Sequence, residues 1–266
     1  MQGVADMSNE DVKAHAQQRF GQFAQGYVES KGHSSGGDLN RLVELAQPQP
    51  DWLMMDVATG GGHTALKFAP LVGQVMALDL TPKMLDAASR FIRGKDVTNV
   101  AFAAGDAEQI PFADNTFDLV TCRIAAHHFP NCWQFVQEVA RVLKPGGKFI
   151  LQDNTVPDDE RAARYVDAFE RLRDPSHHRM YAGYEWQGMF LDAGLTVETL
   201  ELAHKRDANL IEWATTQGQT QAVIERLQVM MVQAPDAARA WLNPHAAGTP
   251  DATFDHHYVV MVGRKG

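Results

Sequence analysis

Apolar positions recur at helical spacing over residues 9–29, where Val12, Ala16, Phe20, Phe23 and Tyr27 follow Ser8 as the opening residue. Residues 32–37 (GHSSGG) break that period. Leu39, Leu42, Val43 and Leu45 then mark a shorter helix, and Gln-Pro-Gln-Pro at 47–50 stops it, because proline cannot continue a helix and disfavours one just before it. From Trp52 the pattern changes. Short apolar runs at 52–57, 74–79, 100–104, 117–122 and 147–152 alternate with helical stretches near 63–71, 82–92 and 131–143. Strands apolar on both faces with helices between them predict a parallel sheet covered on both sides. Thr81 reads as an N-cap with Pro82 at the first helical position, and Lys144-Pro145-Gly146-Gly147 as a turn into the fifth strand. After residue 155 the rhythm loosens. Helices over 158–173 and Tyr184–Ala193 precede a strand at 195–202, helical material over 209–232, a Pro/Gly-containing loop and a closing strand at 257–263. The last two strands read as an antiparallel pair on the far edge of a doubly wound α/β sheet.

The 266 residues carry 33 acidic and 24 basic side chains, for a net charge of −9. That lacks the basic footprint duplex nucleic acid demands. No apolar run approaches the ~18 to 20 residues that span a bilayer. MQGVADMSNEDVK has neither the basic nor the apolar region of a secretory signal. Cys122 and Cys132 are too few for a disulfide framework, so the expectation is a soluble cytoplasmic protein. Six of the eleven histidines stand in doublets: His127-His128, His177-His178 and His256-His257.

The strongest local signal is Asp56-Val57-Ala58-Thr59-Gly60-Gly61-Gly62-His63-Thr64-Ala65, between the first strand and the next helix. Glycines there let backbone approach a ligand, and the helix offers free N–H groups. Gly60, Gly62 and Ala65 fit the G-x-G-x-x-A dinucleotide pattern, with Asp79 placed for ribose hydroxyls. The loop alone therefore admits either NAD or S-adenosylmethionine. Asp56, at the end of the first strand, suits the ammonium of a methionine moiety and would oppose a pyrophosphate. Gly105-Asp106-Ala107-Glu108 follows the third strand, where a carboxylate is placed to accept from an adenine amino group.

With these residues in view, the chain resembles the class I S-adenosylmethionine-dependent methyltransferases, and within them the small-molecule branch that includes the ubiquinone/menaquinone C-methyltransferases. DVATGGG stands for the acidic-plus-glycine motif, with Ala58 and Thr59 where glycine and cysteine are commoner. ALDLTPKML, GDAEQIPF and RVLKPGGKFIL follow in order within about residues 50–153. The resemblance implies a Rossmann-like, mostly parallel seven-stranded sheet with an antiparallel edge strand and a helical cap. It divides the chain into an N-terminal helical lid (1–47), an S-adenosylmethionine-binding core (48–155), and a cap insertion with closing strands of the same domain (156–266). Asp56 would hold the methionine ammonium, with Ala58, Gly60 and Gly62 against the cofactor. Asp79 and Leu80 would take the ribose side, Asp106 and Ala107 the adenine, and Arg123 the methionine end. Tyr27 and His33 would come from the lid.

Methyl transfer from a sulfonium is an in-line displacement needing little acid–base chemistry unless the acceptor carries a proton. The residues placed to take one are His127, His128 and Asp153, at the ends of strands four and five, with His177 and His178 from the cap. His256-His257 reads as surface on an edge strand. Adjacent histidines lack the i, i+4 spacing of helical metal ligands, so no metal is expected. The partners implied are a small-molecule acceptor, no nucleic acid and no membrane insertion, with room for a homodimer. The acceptor reads either as a quinone or phenol or as a thiol deprotonated by a cap histidine. An NAD(P)-dependent oxidoreductase is the alternative reading by fold.

Overall fold

Seven strands run in the order β3-β2-β1-β4-β5-β7-β6. They are β1 (Leu53–Val57), β2 (Gln74–Asp79), β3 (Val100–Ala104), β4 (Phe117–Arg123), β5 (Leu143–Asn154), β6 (Leu195–Asn209) and β7 (Thr253–Lys265). The structure is a computed structural model that describes residues 8–29 and 37–266; His33 and the Tyr27 side chain lie outside the described residues. β1 to β5 pair in parallel, while β7 runs antiparallel to both β5 and β6. Among the described residues no helix is long and apolar enough to cross a membrane.

Alternation along the strands builds two layers. Met54, Leu119, Ile150 and Val260 point to one face, where they meet Leu42 of α2 (Gly37–Ala46), Phe68 of α3 (His63–Phe68) and Ile92 of α4 (Pro82–Arg93). Met55, Val120, Phe149, Leu151 and Met261 point to the other, against Phe135 of α5 (Cys132–Val142) and Phe190 of α7 (Gly183–Asp192). The cap has its own core. There Phe169 of α6 (Glu160–Arg173) stacks on Trp213 of α8 (Leu210–Thr215) at 5.3 Å, with Phe254 of β7 edge-on. Leu227 of α9 (Gln221–Val232) and Leu242 of α10 (Asp236–Leu242) complete it. α1 (Asn9–Glu29) lies across α4, where its Phe20 joins Met84 and Ala87.

Several details depart from the sequence reading. Thr81 makes no side-chain cap; its N–H instead donates to Asp79 Oδ1 at 2.8 Å, since the buried carboxylate reaches it first. The expected helical span 209–232 divides between α8 and α9, with Gly218 at φ 67° in the break. Part of the expected loop before β7 is α10, because Ala238 and Leu242 bury on the cap core. His256 and His257 stand on an interior strand and are half-buried. The cap folds over them, so His256 Nε2 meets Glu170 Oε1 at 2.9 Å and the His257 ring stacks on Trp241 at 3.9 Å.

Candidate active site

The carboxyl ends of β1, β2 and β4 converge on the loop after β1. Asp56 is 2 % exposed and accepts from Thr59 Oγ1 and Thr121 Oγ1, each at 2.7 Å. Burial pushes its carboxyl up to about 6, against the two hydroxyl bonds and Arg123. Ala58, Gly60 and Gly62 all adopt positive φ, at 52°, 54° and 83°. For Ala58 this is a conformation that its Cβ opposes, which accounts for glycine being commoner at that place. A Cβ on Gly62 would stand 2.8 Å from Ile92 Cδ1, so the loop packs tightly on α4.

Asp79 is 8 % exposed and spans the same loop, accepting from Gly60 N–H at 2.9 Å as well as from Thr81. Leu80 is half-buried, and its carbonyl accepts from Gln17 Nε2 of α1 at 2.7 Å. Asp106 accepts from Glu108 N–H at 2.8 Å, and its other oxygen lies 2.7 Å from Lys13 Nζ; Ala107 is buried beside it. Lys13 also reaches Glu108 Oε2 at 2.8 Å. Arg123 is nearly buried. Its Nε and Nη2 reach Asp38 Oδ2 at 2.8 and 2.6 Å, so Asp38 of α2 engages the guanidinium that the resemblance assigns to the methionine end. These residues fit a donor with a cationic amino acid end and a nucleoside end: a buried acid, a glycine loop and two further carboxylates follow one another along the strand ends.

On the acceptor side the structure gathers four of the five residues proposed from sequence. His127 Nδ1 lies 2.6 Å from Asp153 Oδ1, and Asp153 Oδ2 accepts the His127 N–H at 2.7 Å. Burial disfavours the His127 cation, but the Asp153 charge outweighs it and holds the imidazole above its ordinary range. The His128 ring lies 4.1 Å from that of His127, and the His177 ring stacks on it at 5.3 Å. Burial, then the neighbouring charge of His127, push His128 well below the ordinary range. His177 Nε2 meets Asp167 Oδ1 at 2.8 Å. His178 does not join this ring cluster. It serves through its main chain, its N–H donating to His127 O at 2.9 Å, because consecutive residues in the extended turn point opposite ways.

Sequence reasoning missed Lys13, Gln17 and Arg19. Lys13 and Gln17 stand at i and i+4 on one face of the helix with Phe20 at i+7, a spacing that would have exposed these two had polar residues been counted with the apolar ones; Arg19, at i+6, lies off that face and no spacing signals it. Among the described residues no group of three or more His, Cys, Asp or Glu could hold a metal ion.

Residues 55–151 match the methyltransferase-domain family. The chain is 43 % identical over 171 residues to the uncharacterized methyltransferase YcgJ of Bacillus subtilis, covering 64 % of this chain and 68 % of that protein. The crystal structure of YcgJ superposes with a TM-score of 0.79 at 34 % identity, over 85 % of this chain and 97 % of that one. A crystallised Bacillus halodurans C-125 chain, assigned provisionally as a methyltransferase, gives 0.82 at 37 %, over 86 % and 99 %. The ubiquinone/menaquinone C-methyltransferase UbiE of Shewanella frigidimarina is 32 % identical over 131 residues, 48 % of this chain and 52 % of UbiE. These relationships set aside the oxidoreductase alternative. With its sheet order and strand-end loop, the chain belongs to the class I S-adenosylmethionine-dependent methyltransferases.

Proposed function

We propose that the chain methylates a small molecule whose ionisable proton is taken by His127. The observation that carries this reading is the buried His127–Asp153 pair at the ends of β4 and β5, one strand from the donor loop. S-adenosylmethionine, when bound, supplies an electrophilic methyl group on a sulfonium. Asp56 receives the ammonium, and Ala58, Gly60 and Gly62 present backbone to the methionine end. Asp79 and Leu80 would hold the ribose, and Asp106 and Ala107 the adenine, with Arg123 at the methionine end. Asp153 can only accept, so His127 carries its proton on Nδ1 and offers Nε2 to the acceptor. The proton lost by the acceptor ends on His127 Nε2, and the resulting cation is stabilised by Asp153. His128, held neutral, orients the acceptor, and His177 stacks behind the pair; His178 contributes main chain alone.

This chemistry fits a thiol, a phenol or a carbon acid, whose nucleophilic form is the anion, better than an acceptor without a titratable proton. The UbiE relatives are matched over about half their length, so a quinone acceptor is one member of that class. The test is a panel of thiols, phenols, quinols, amines and carboxylates with a labelled methyl donor. Transfer is expected to an acidic acceptor, with kcat falling ~10²–10⁴-fold in His127→Gln while affinity for S-adenosylhomocysteine is kept. Full turnover by His127→Gln refutes the assignment.

A further inference from the structure

One helix touches both halves of the site. On the donor side, α1 sends Lys13 to Asp106 and Glu108 and Gln17 to the Leu80 carbonyl. Two residues further along, Arg19 Nε lies 3.2 Å from Asp174 Oδ1, and Arg19 Nη2 donates to Gln217 O at 3.0 Å. Phe20 packs its ring edge-on against His128, with centroids 4.9 Å apart at 80°. Asp174 organises the turn that follows α6: its Oδ1 accepts from Ser176 N–H at 2.9 Å and Ser176 Oγ–H at 2.5 Å. The Ser176 carbonyl in turn receives His128 Nδ1 at 3.0 Å. A carbonyl can only accept, so this contact fixes the proton of neutral His128 on Nδ1 and leaves the lone pair on Nε2.

We propose that Arg19 is a positioning residue that sets the tautomer and orientation of His128 through Asp174 and Ser176, and that α1 transmits donor occupancy to that histidine. The proposal rests on the donor reading above. Asp174 is a carboxylate with a side chain only 4 % exposed. Without the Arg19 cation it is a buried charge short of a partner, and the 174–176 turn relaxes to find one. A donor seated between Asp79 and Asp106 lies under Lys13 and Gln17, so any adjustment of α1 reaches Arg19 and Phe20 within two turns. Asp106, Glu108 and the Leu80 carbonyl thus act as the sensing end, and His128 as the responding end.

The test uses the full chain labelled with 15N in its histidine rings and S-adenosylhomocysteine as the probe. His128 signals are identified by their loss in His128→Gln. The wild-type chain is expected to show His128 as the Nδ1–H tautomer, with signals that move on saturation by S-adenosylhomocysteine. In Arg19→Gln the tautomers should mix and the ligand-induced shift should fall at least threefold, with affinity by calorimetry within threefold of wild type. Arg19→Lys should recover part of both. Lys13→Gln should keep the tautomer yet shrink the ligand-induced shift. An unchanged tautomer and an undiminished shift in Arg19→Gln would overturn the proposal. Absence of S-adenosylhomocysteine binding to the wild-type chain would overturn the donor reading itself, a failure read on the calorimeter before any histidine is observed.

Discussion

Asp56 shows how one residue can weaken the fold and strengthen a site. Its carboxyl stands at about 6 when folded, against an ordinary 3.8. A raised acid contributes stability at pH values below 3.8 and loses it as pH rises through about 6. At neutral pH the buried ion therefore costs on the order of 3 kcal/mol. Asp56→Asn is expected to raise the melting temperature of the ligand-free chain and to weaken S-adenosylhomocysteine binding at least tenfold. For the wild type, affinity should be flat above about pH 6 and fall roughly tenfold per unit below it, measured by calorimetry across pH 5 to 8. For His127 the sign is reversed. Its raised value means that the base is free only above its pKa, so the methylation rate rises with pH through a point above 6.5. Asp153→Asn should move that limb to lower pH and lower the plateau. Asp56 was legible as a candidate because a carboxylate at a strand end before glycines stands out in the sequence, and the structure buries it there. The inequality of His127 and His128 was not, since two identical neighbours differ only in which carboxylate or carbonyl each ring meets.

At the scale of elements, the strands and the helices between them were readable wherever period and punctuation agreed. β2 and β3 match their expected spans, while β5 begins earlier, at Leu143, since its Lys-Pro-Gly-Gly turn is absorbed as an irregularity against β4. Elements of the cap were less legible because α8 and α10, of 6 and 7 residues, are too short to show a helical period. Where α7 crosses β7, Gly263 has no side chain to spare: a Cβ there would stand 2.6 Å from Phe190 Cδ1. Gly263→Ala is expected to cost ~1–3 kcal/mol in chemical denaturation by overpacking, with donor affinity unchanged, because that contact lies away from the strand ends. The polar face of α1 was hidden for a simpler reason. Lys13 and Gln17 find partners more than sixty residues away, and no local pattern announces such distant company.

In the molecule as a whole, the sheet and the cap carry separate cores, the latter centred on Phe169, Trp213 and Phe254. Phe169→Ala should remove ~3–5 kcal/mol of packing, seen as faster amide hydrogen exchange in α6, α8 and α9 before the sheet responds. The parallel sheet with its antiparallel closing pair was foreseeable from the pattern of strands and helices, and its seven strands from the family resemblance; how the cap closes on the histidines was not, because that depends on partners such as Asp167 and Glu170 reaching across from α6. The placement of β7 between β5 and β6 has a consequence for biosynthesis. Every other described element precedes β7 along the chain, yet β6 has no strand to pair with until it arrives. A nascent chain on the ribosome can assemble β1 to β5, but β6 must wait with its hydrogen-bonding edge bare. The interval between translating residue 209 and residue 253 is therefore when this protein is most exposed to chaperones, proteases and its own siblings on the same message.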